Sequence, residues 1–270
     1  MTLFTKFVSA RSLAKHLKLR ARINLFYLFE ELIGWGRFLS WFPRLSVSTL
    51  RGELKGPKAV EGVSARRPLM RLDELSVYYI NLDSRMDRDI ETRAEFSRIG
   101  IRNPQRFRAT ATANGGLGCS MSHRDLMAML GDSDAGLTMV CEDDVEFRYG
   151  ADEISSVIAE FQNRPALTVL CLAYRARGPK FRVSAKLAVS NNIQTAACYV
   201  VKPRAFLLLK ESFQNSVSKL ETGAPWAKFA NDQLWKKVQA KTAYFCIPHI
   251  PMAGQRRSYS DIALEEKYYG

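Results

Sequence analysis

Two hydrophobic periods alternate along the chain from Leu75 onward. Leu75–Asp83 is an apolar run rich in β-formers and predicts a strand. Ile90, Ala94, Phe96 and Ile99 follow at helical spacing; Ser84 is placed to cap that helix and Gly100 to close it. Phe107–Thr112 predicts a second short strand. The glycines of Asn114–Gly118 precede a helical stretch through Leu130, with Ser120 or Ser122 as its cap. Leu137–Phe147 is a short apolar run ending in three acids, and it reads as a buried parallel strand. Ile154–Phe161 predicts a helix, Ala166–Ala173 a strand, Thr195–Val201 a strand, and Pro203 the start of another helix. Asn231–Trp235 opens a helix and Tyr244–Pro248 is a last short strand. Residues 175–190 are basic and read as a loop over the site. Strand, polar turn, helix is the opening unit of a nucleotide-binding α/β fold.

The chain upstream behaves differently. Leu13, Leu17, Ala21, Leu25, Leu28, Leu32, Trp35 and Leu39 recur at helical spacing among basic residues, and no acid precedes Glu30. Residues 23–42 are long enough to span a bilayer, but Glu30, Glu31 and Arg37 interrupt them. A basic amphipathic segment against an anionic membrane surface fits this pattern, and a helical extension packed on protein is the alternative. The expected organisation is an extension over 1–45, a linker over 46–73 and a catalytic domain over 74–270.

Charge sharpens the division. The 270-residue chain carries a net +13. Residues 1–74 hold 14 Lys and Arg against 6 Asp and Glu, so most of the excess is N-terminal. A nucleic-acid-binding face spread over the domain is therefore not expected. Five scattered cysteines offer neither a zinc motif nor a disulfide framework, which fits a reducing, cytoplasmic location.

The candidate chemistry gathers around Glu142-Asp143-Asp144. Ligands of open α/β sheets bind beyond the carboxyl ends of strands. Three adjacent carboxylates there repel one another, and Mg2+ or Mn2+ would relieve that repulsion and hold a diphosphate. The competing reading is a helix cap or a solvated turn. Asn81, Arg85 and Arg88 lie at the ligand end of the first strand unit, and arginine suits a diphosphate. A salt bridge of Asp87 with a nearby arginine is the plainer alternative. The Asn114–Arg124 stretch offers a helix N-terminus for an anion, although its spacing matches no standard phosphate loop. Asp232 lies near a helix start, where its charge is favoured.

Taken together, these motifs resemble glycosyltransferase family 25, the lipooligosaccharide and procollagen galactosyltransferase group. The residues that carry the resemblance are Tyr79–Asp83 with Arg85, Asp87 and Arg88; Gly118-Cys119 with Ser122-His123; Glu142–Val145; Thr195; Asp232 with Trp235; and Gln255 with Ser260–Ile262. Gly116 stands where the family pattern has Glu, and Cys198 where it has an aromatic. The resemblance implies a GT-A-like α/β fold: a nucleotide-sugar-binding sheet flanked by helices, here with a basic helical N-terminal extension. It implies inverting transfer of a hexose, galactose first, from a UDP-sugar to a saccharide acceptor. With the N-terminal segment on a membrane, a lipid-linked saccharide of lipopolysaccharide type at the inner face is the expected acceptor. On this reading Asp144, with Glu142 and Asp143, holds Mn2+ or Mg2+. Asn81, Arg85, Arg88, Thr195 and Gln255 bind the donor, and Asp232 is the base ahead of His123. A glycosyltransferase-like binding or scaffold protein without catalysis is the alternative.

Overall fold

The computed structural model describes residues 71–177, 180–239, 244–256, 258–260 and 265–267. The expectations for residues 1–45, for nearly all of the 46–73 linker, and for Asp261-Ile262 fall outside these residues. Among the described residues, no helix is long and apolar enough to cross a membrane.

A mixed sheet of eight strands forms the centre, with helices on both faces. The chain enters through β1 (Ser76–Asn81), crosses by α1 (Met86–Arg98) to β2 (Gln105–Arg108), and returns by α2 (Gly115–Gly131) to β3 (Thr138–Glu142). A short β4 (Val145–Phe147), α3 (Ala151–Gln162) and β5 (Leu167–Cys171) follow. The basic stretch contains β6 (Arg175–Ala176), β7 (Phe181–Arg182) and β8 (Leu187–Val189), and it leads to β9 (Ile193–Gln194) and β10 (Cys198–Val201). Next come α4 (Phe206–Glu221), the single turn α5 (Trp226–Phe229), α6 (Asn231–Gln239), β11 (Tyr244–Pro248) and β12 (Ala253–Gln255). A hairpin of β13 (Ser258–Ser260) and β14 (Glu265–Lys267) is the last described element.

The large sheet runs β2-β1-β3-β10-β5-β11-β8-β7. β1 pairs parallel with β2 and β3, while β10 is antiparallel to both β3 and β5. β3 is thus parallel on one side only. The basic stretch is not wholly a loop, because β8 pairs with β11 and β7 extends the sheet edge.

Central strands are apolar on both faces because helices cover both. Tyr79, Met139, Cys141 and Leu170 pack with Phe96, Ile154, Ile158 and Phe161 of α1 and α3. Ile80, Val140, Val169 and Tyr199 pack with Leu126, Leu209, Phe213 and Trp235 of α2, α4 and α6. Alternate residues of one strand therefore serve opposite cores.

The helix caps differ from expectation. Arg85, not Ser84, occupies the cap position of α1. In α2 the side chain of Asn114 caps the helix by accepting from the Leu117 amide. Ser120 and Ser122 lie inside the helix and donate back to the carbonyls of Gly116 and Gly118. The glycines suggest a turn ahead of the helix, yet they form its first turn. Gly118 is required by packing: a Cβ there would stand 2.4 Å from the Thr110 carbonyl oxygen.

Candidate active site

Sheet topology gathers the site. The parallel pairing of β1 and β3 ends with Ile80 opposite Glu142, so Asn81 and the acids finish at one edge. β10 is antiparallel, so its entry residues Thr195–Ala197 arrive at that edge too, and the Glu142 amide donates to the Ala197 carbonyl at 2.9 Å. β12 pairs with β4 in a register that sets Gln255 opposite Val145, beside Asp144. The first turn of α2 follows β2 to the same place. A cavity of about 450 Å³ opens there.

The three acids have separate environments. Asp143 is buried; Arg88 donates to its Oδ1 at 2.7 Å and Asn81 to its Oδ2 at 2.9 Å. Its backbone carbonyl accepts from Thr92 and Arg256. Burial raises its pKa, and Arg88 opposes that shift. Glu142 turns Oε1 toward His123 Nε2 at 3.3 Å and the Cys119 thiol at 3.8 Å. Its Oε2 accepts from Gln255 at 3.3 Å. The same Gln255 amide nitrogen donates to Asp144 Oδ2 at 3.2 Å. Asp144 Oδ1 is buried and has no hydrogen-bond partner among the described residues. Burial, then the neighbouring Glu142 charge, pushes the Asp144 carboxyl up to about 7. Two carboxylates on one amide, with one buried oxygen unpaired, form a charge deficit that a divalent cation fits.

Asp232 heads α6 and lines the cavity; its Oδ2 accepts from the Thr195 amide at 3.1 Å. Burial raises its pKa, a trend that the Thr195 hydrogen bond counters. Thr195 adopts φ +87°, the only positive φ among described residues other than glycine. A β-branched residue there is strained, and such strain gathers at functional sites. His123 also lines the cavity but is fully buried, with Nδ1 3.1 Å from the Tyr199 hydroxyl. Both ring nitrogens are engaged, so Asp232 is the freer candidate base.

Arg88, Thr195, Gln255 and the acids line the cavity together with Asp232 and His123. Asn81 and Arg85 are not among the lining residues. Asn81 is a buried brace: besides holding Asp143 it donates to the Arg85 carbonyl and accepts from Arg106 at 2.8 Å. Arg85 forms a two-pronged pair with Asp87, the salt bridge that competes with a donor contact. The sequence places Arg256 in a polar tail rich in donors for phosphate, suggests no role for Asn231, and gives Cys119 none beyond the family motif. Arg256 pairs with Glu91 at 2.7 Å and its amide donates to the Asp144 carbonyl. Asn231 donates to the Cys119 sulfur at 3.7 Å. The four-residue spacing of Cys119 and His123 within a helical stretch is the available signal. Burial raises the Cys119 thiol well above its ordinary pKa, and Glu142 adds to the effect.

No protein-family model and no curated protein matches the chain. Among solved structures, A197 from STIV overlaps 63% of this chain and 81% of its own, at 12% identity and TM-score 0.36. A glycosyltransferase involved in glycosylation of the major capsid of PBCV-1 overlaps 64% and 93%, at 11% identity and TM-score 0.36. A protein described as mannose-1-phosphate geranyltransferase from Thermus thermophilus overlaps 66% and 58%, at 11% identity and TM-score 0.34.

Proposed function

We propose that this chain is a metal-dependent glycosyltransferase that moves a hexose, galactose first, from a UDP-sugar to a saccharide with inversion. The observation that carries the reading is the pair Glu142 and Asp144, joined through Gln255 on a cavity at the carboxyl end of β3, with Asp144 Oδ1 buried and unpaired among the described residues. Asp144 and Glu142 would hold Mn2+ or Mg2+, which supplies Lewis-acid stabilisation of a leaving diphosphate. Asp143 is a brace in this scheme, since Arg88 and Asn81 occupy its oxygens. Asp232 accepts the proton of the attacking acceptor hydroxyl, and its raised pKa suits that task. The Thr195 amide fixes the carboxylate that does so. Arg88, Thr195 and Gln255 line the donor pocket. The acceptor is a lipid-linked saccharide if the basic residues before Pro43 hold an anionic membrane.

The test is a donor screen on purified protein that reads released nucleoside diphosphate, with Mn2+ and with chelator. Turnover that needs the metal and falls about 10²–10⁴-fold in Asp232→Asn is expected. Donor turnover undiminished by chelator would overturn the metal reading. UDP binding without turnover would favour the scaffold alternative.

A further inference from the structure

The geometry points to a thiolate-containing metal site at Cys119, His123 and Glu142, open to the cavity and selective for Zn2+-like ions over Mg2+ or Mn2+. Cys119 and His123 stand one helical turn apart on α2, facing the end of β3. One ligand atom from each of the three lies within 4.8 Å of the others. The spacing suits a tetrahedral ion. With metal–nitrogen and metal–oxygen bonds near 2.1 Å and a metal–sulfur bond near 2.3 Å, the tetrahedral edges are roughly 3.4 Å for N to O and 3.6 Å for S to O. The observed separations are 3.3 Å from His123 Nε2 to Glu142 Oε1 and 3.8 Å from Cys119 Sγ to the same oxygen.

The surroundings are those of a supported ligand set. Tyr199 sits 3.1 Å from His123 Nδ1, so with the ring proton on Nδ1 the phenol oxygen would accept it and Nε2 would be free to ligate. Asn231 donates to the Cys119 sulfur and Gln255 holds the far oxygen of Glu142. All three ligands line the cavity, so the fourth corner is left to water or a substrate oxygen. Thiolate and imidazole prefer Zn2+ or Co2+, whereas Asp144 on the other side of Glu142 offers oxygen alone. Glu142 thus stands between a soft site at Oε1 and a hard site at Oε2. On binding, Cys119 releases its thiol proton to solvent as the sulfur–metal bond forms.

The site is tested by cobalt substitution in the full chain, stripped of metal and then titrated with Co2+. An intense near-ultraviolet band from thiolate-to-cobalt charge transfer is expected. It is expected to persist in Asp144→Asn and to vanish in Cys119→Ser, which should also bind Zn2+ at least about 10-fold more weakly. A chain that gives no such band overturns the site whatever the variants do, and so does a band that survives in Cys119→Ser. The readout is a spectrum, so failure of the donor screen would leave it standing, and failure here would leave the donor reading untouched.

Discussion

Thr195 holds φ +87° while its amide serves Asp232. Holding a non-glycine residue there costs of order 1–3 kcal/mol, and glycine removes the strain at about 0.5–1 kcal/mol of chain entropy. Thr195→Gly should therefore raise stability by roughly 1 kcal/mol in urea unfolding; a loss of stability would show the backbone to be relaxed. Asp144 makes a second prediction. Its carboxyl rises from 3.8 to about 7, by burial and then by Glu142 and Asp143, against Arg88 and the Gln255 hydrogen bond. The folded state then binds the proton more tightly than the unfolded chain. That stabilisation is full below the unfolded value and is lost as pH climbs through about 7. Metal-free protein should melt at lower temperature at pH 8 than at pH 5, and Asp144→Asn should flatten the trend. An equal fall in the variant would assign the effect elsewhere. The acids are plain in the sequence because three carboxylates after an apolar run are chemically conspicuous. Their division into brace and ligands is not, because it depends on Arg88 and Gln255, 55 and 111 residues away.

At the scale of elements, α1 is locked to the end of β3 by the Arg88–Asp143 pair, whose side chains are 11% and 10% exposed. Breaking a buried pair from one side leaves an uncompensated charge and typically costs about 3–5 kcal/mol, whereas apolar replacement of both partners is often neutral. Arg88→Met should destabilise by about 3 kcal/mol, and Arg88→Met with Asp143→Leu should recover most of it, read by urea unfolding as a double-mutant cycle. A single variant within about 0.5 kcal/mol of the parent would make the pair a surface ornament. Strands and long helices are legible because both periods are strong. The start of α2 is not: its glycines look like a turn, and their helical role follows from close packing on Thr110. The basic stretch likewise hides β8, because its pairing partner β11 lies far along the chain, and with it β7, which pairs with β8.

At the scale of the molecule, a mixed sheet brings the ends of β1 and β3 and the beginning of β10 to one edge. Thr195 joins Asn81, the acids and Gln255 there because β10 runs against its neighbours. Local pattern carries no information about that reversal, so the parts of the site are readable along the chain and their meeting is not. In the proposed function, Glu142 and Asp144 hold an ion that binds a nucleoside diphosphate. Calorimetric titration of UDP into the chain, with Mn2+ and after chelation, measures this as a coupling between two ligands. UDP is expected to bind at least about 10-fold more tightly with Mn2+, a coupling of roughly 1.4 kcal/mol, and Asp144→Asn should abolish the difference. Equal UDP affinity with and without the metal would contradict it.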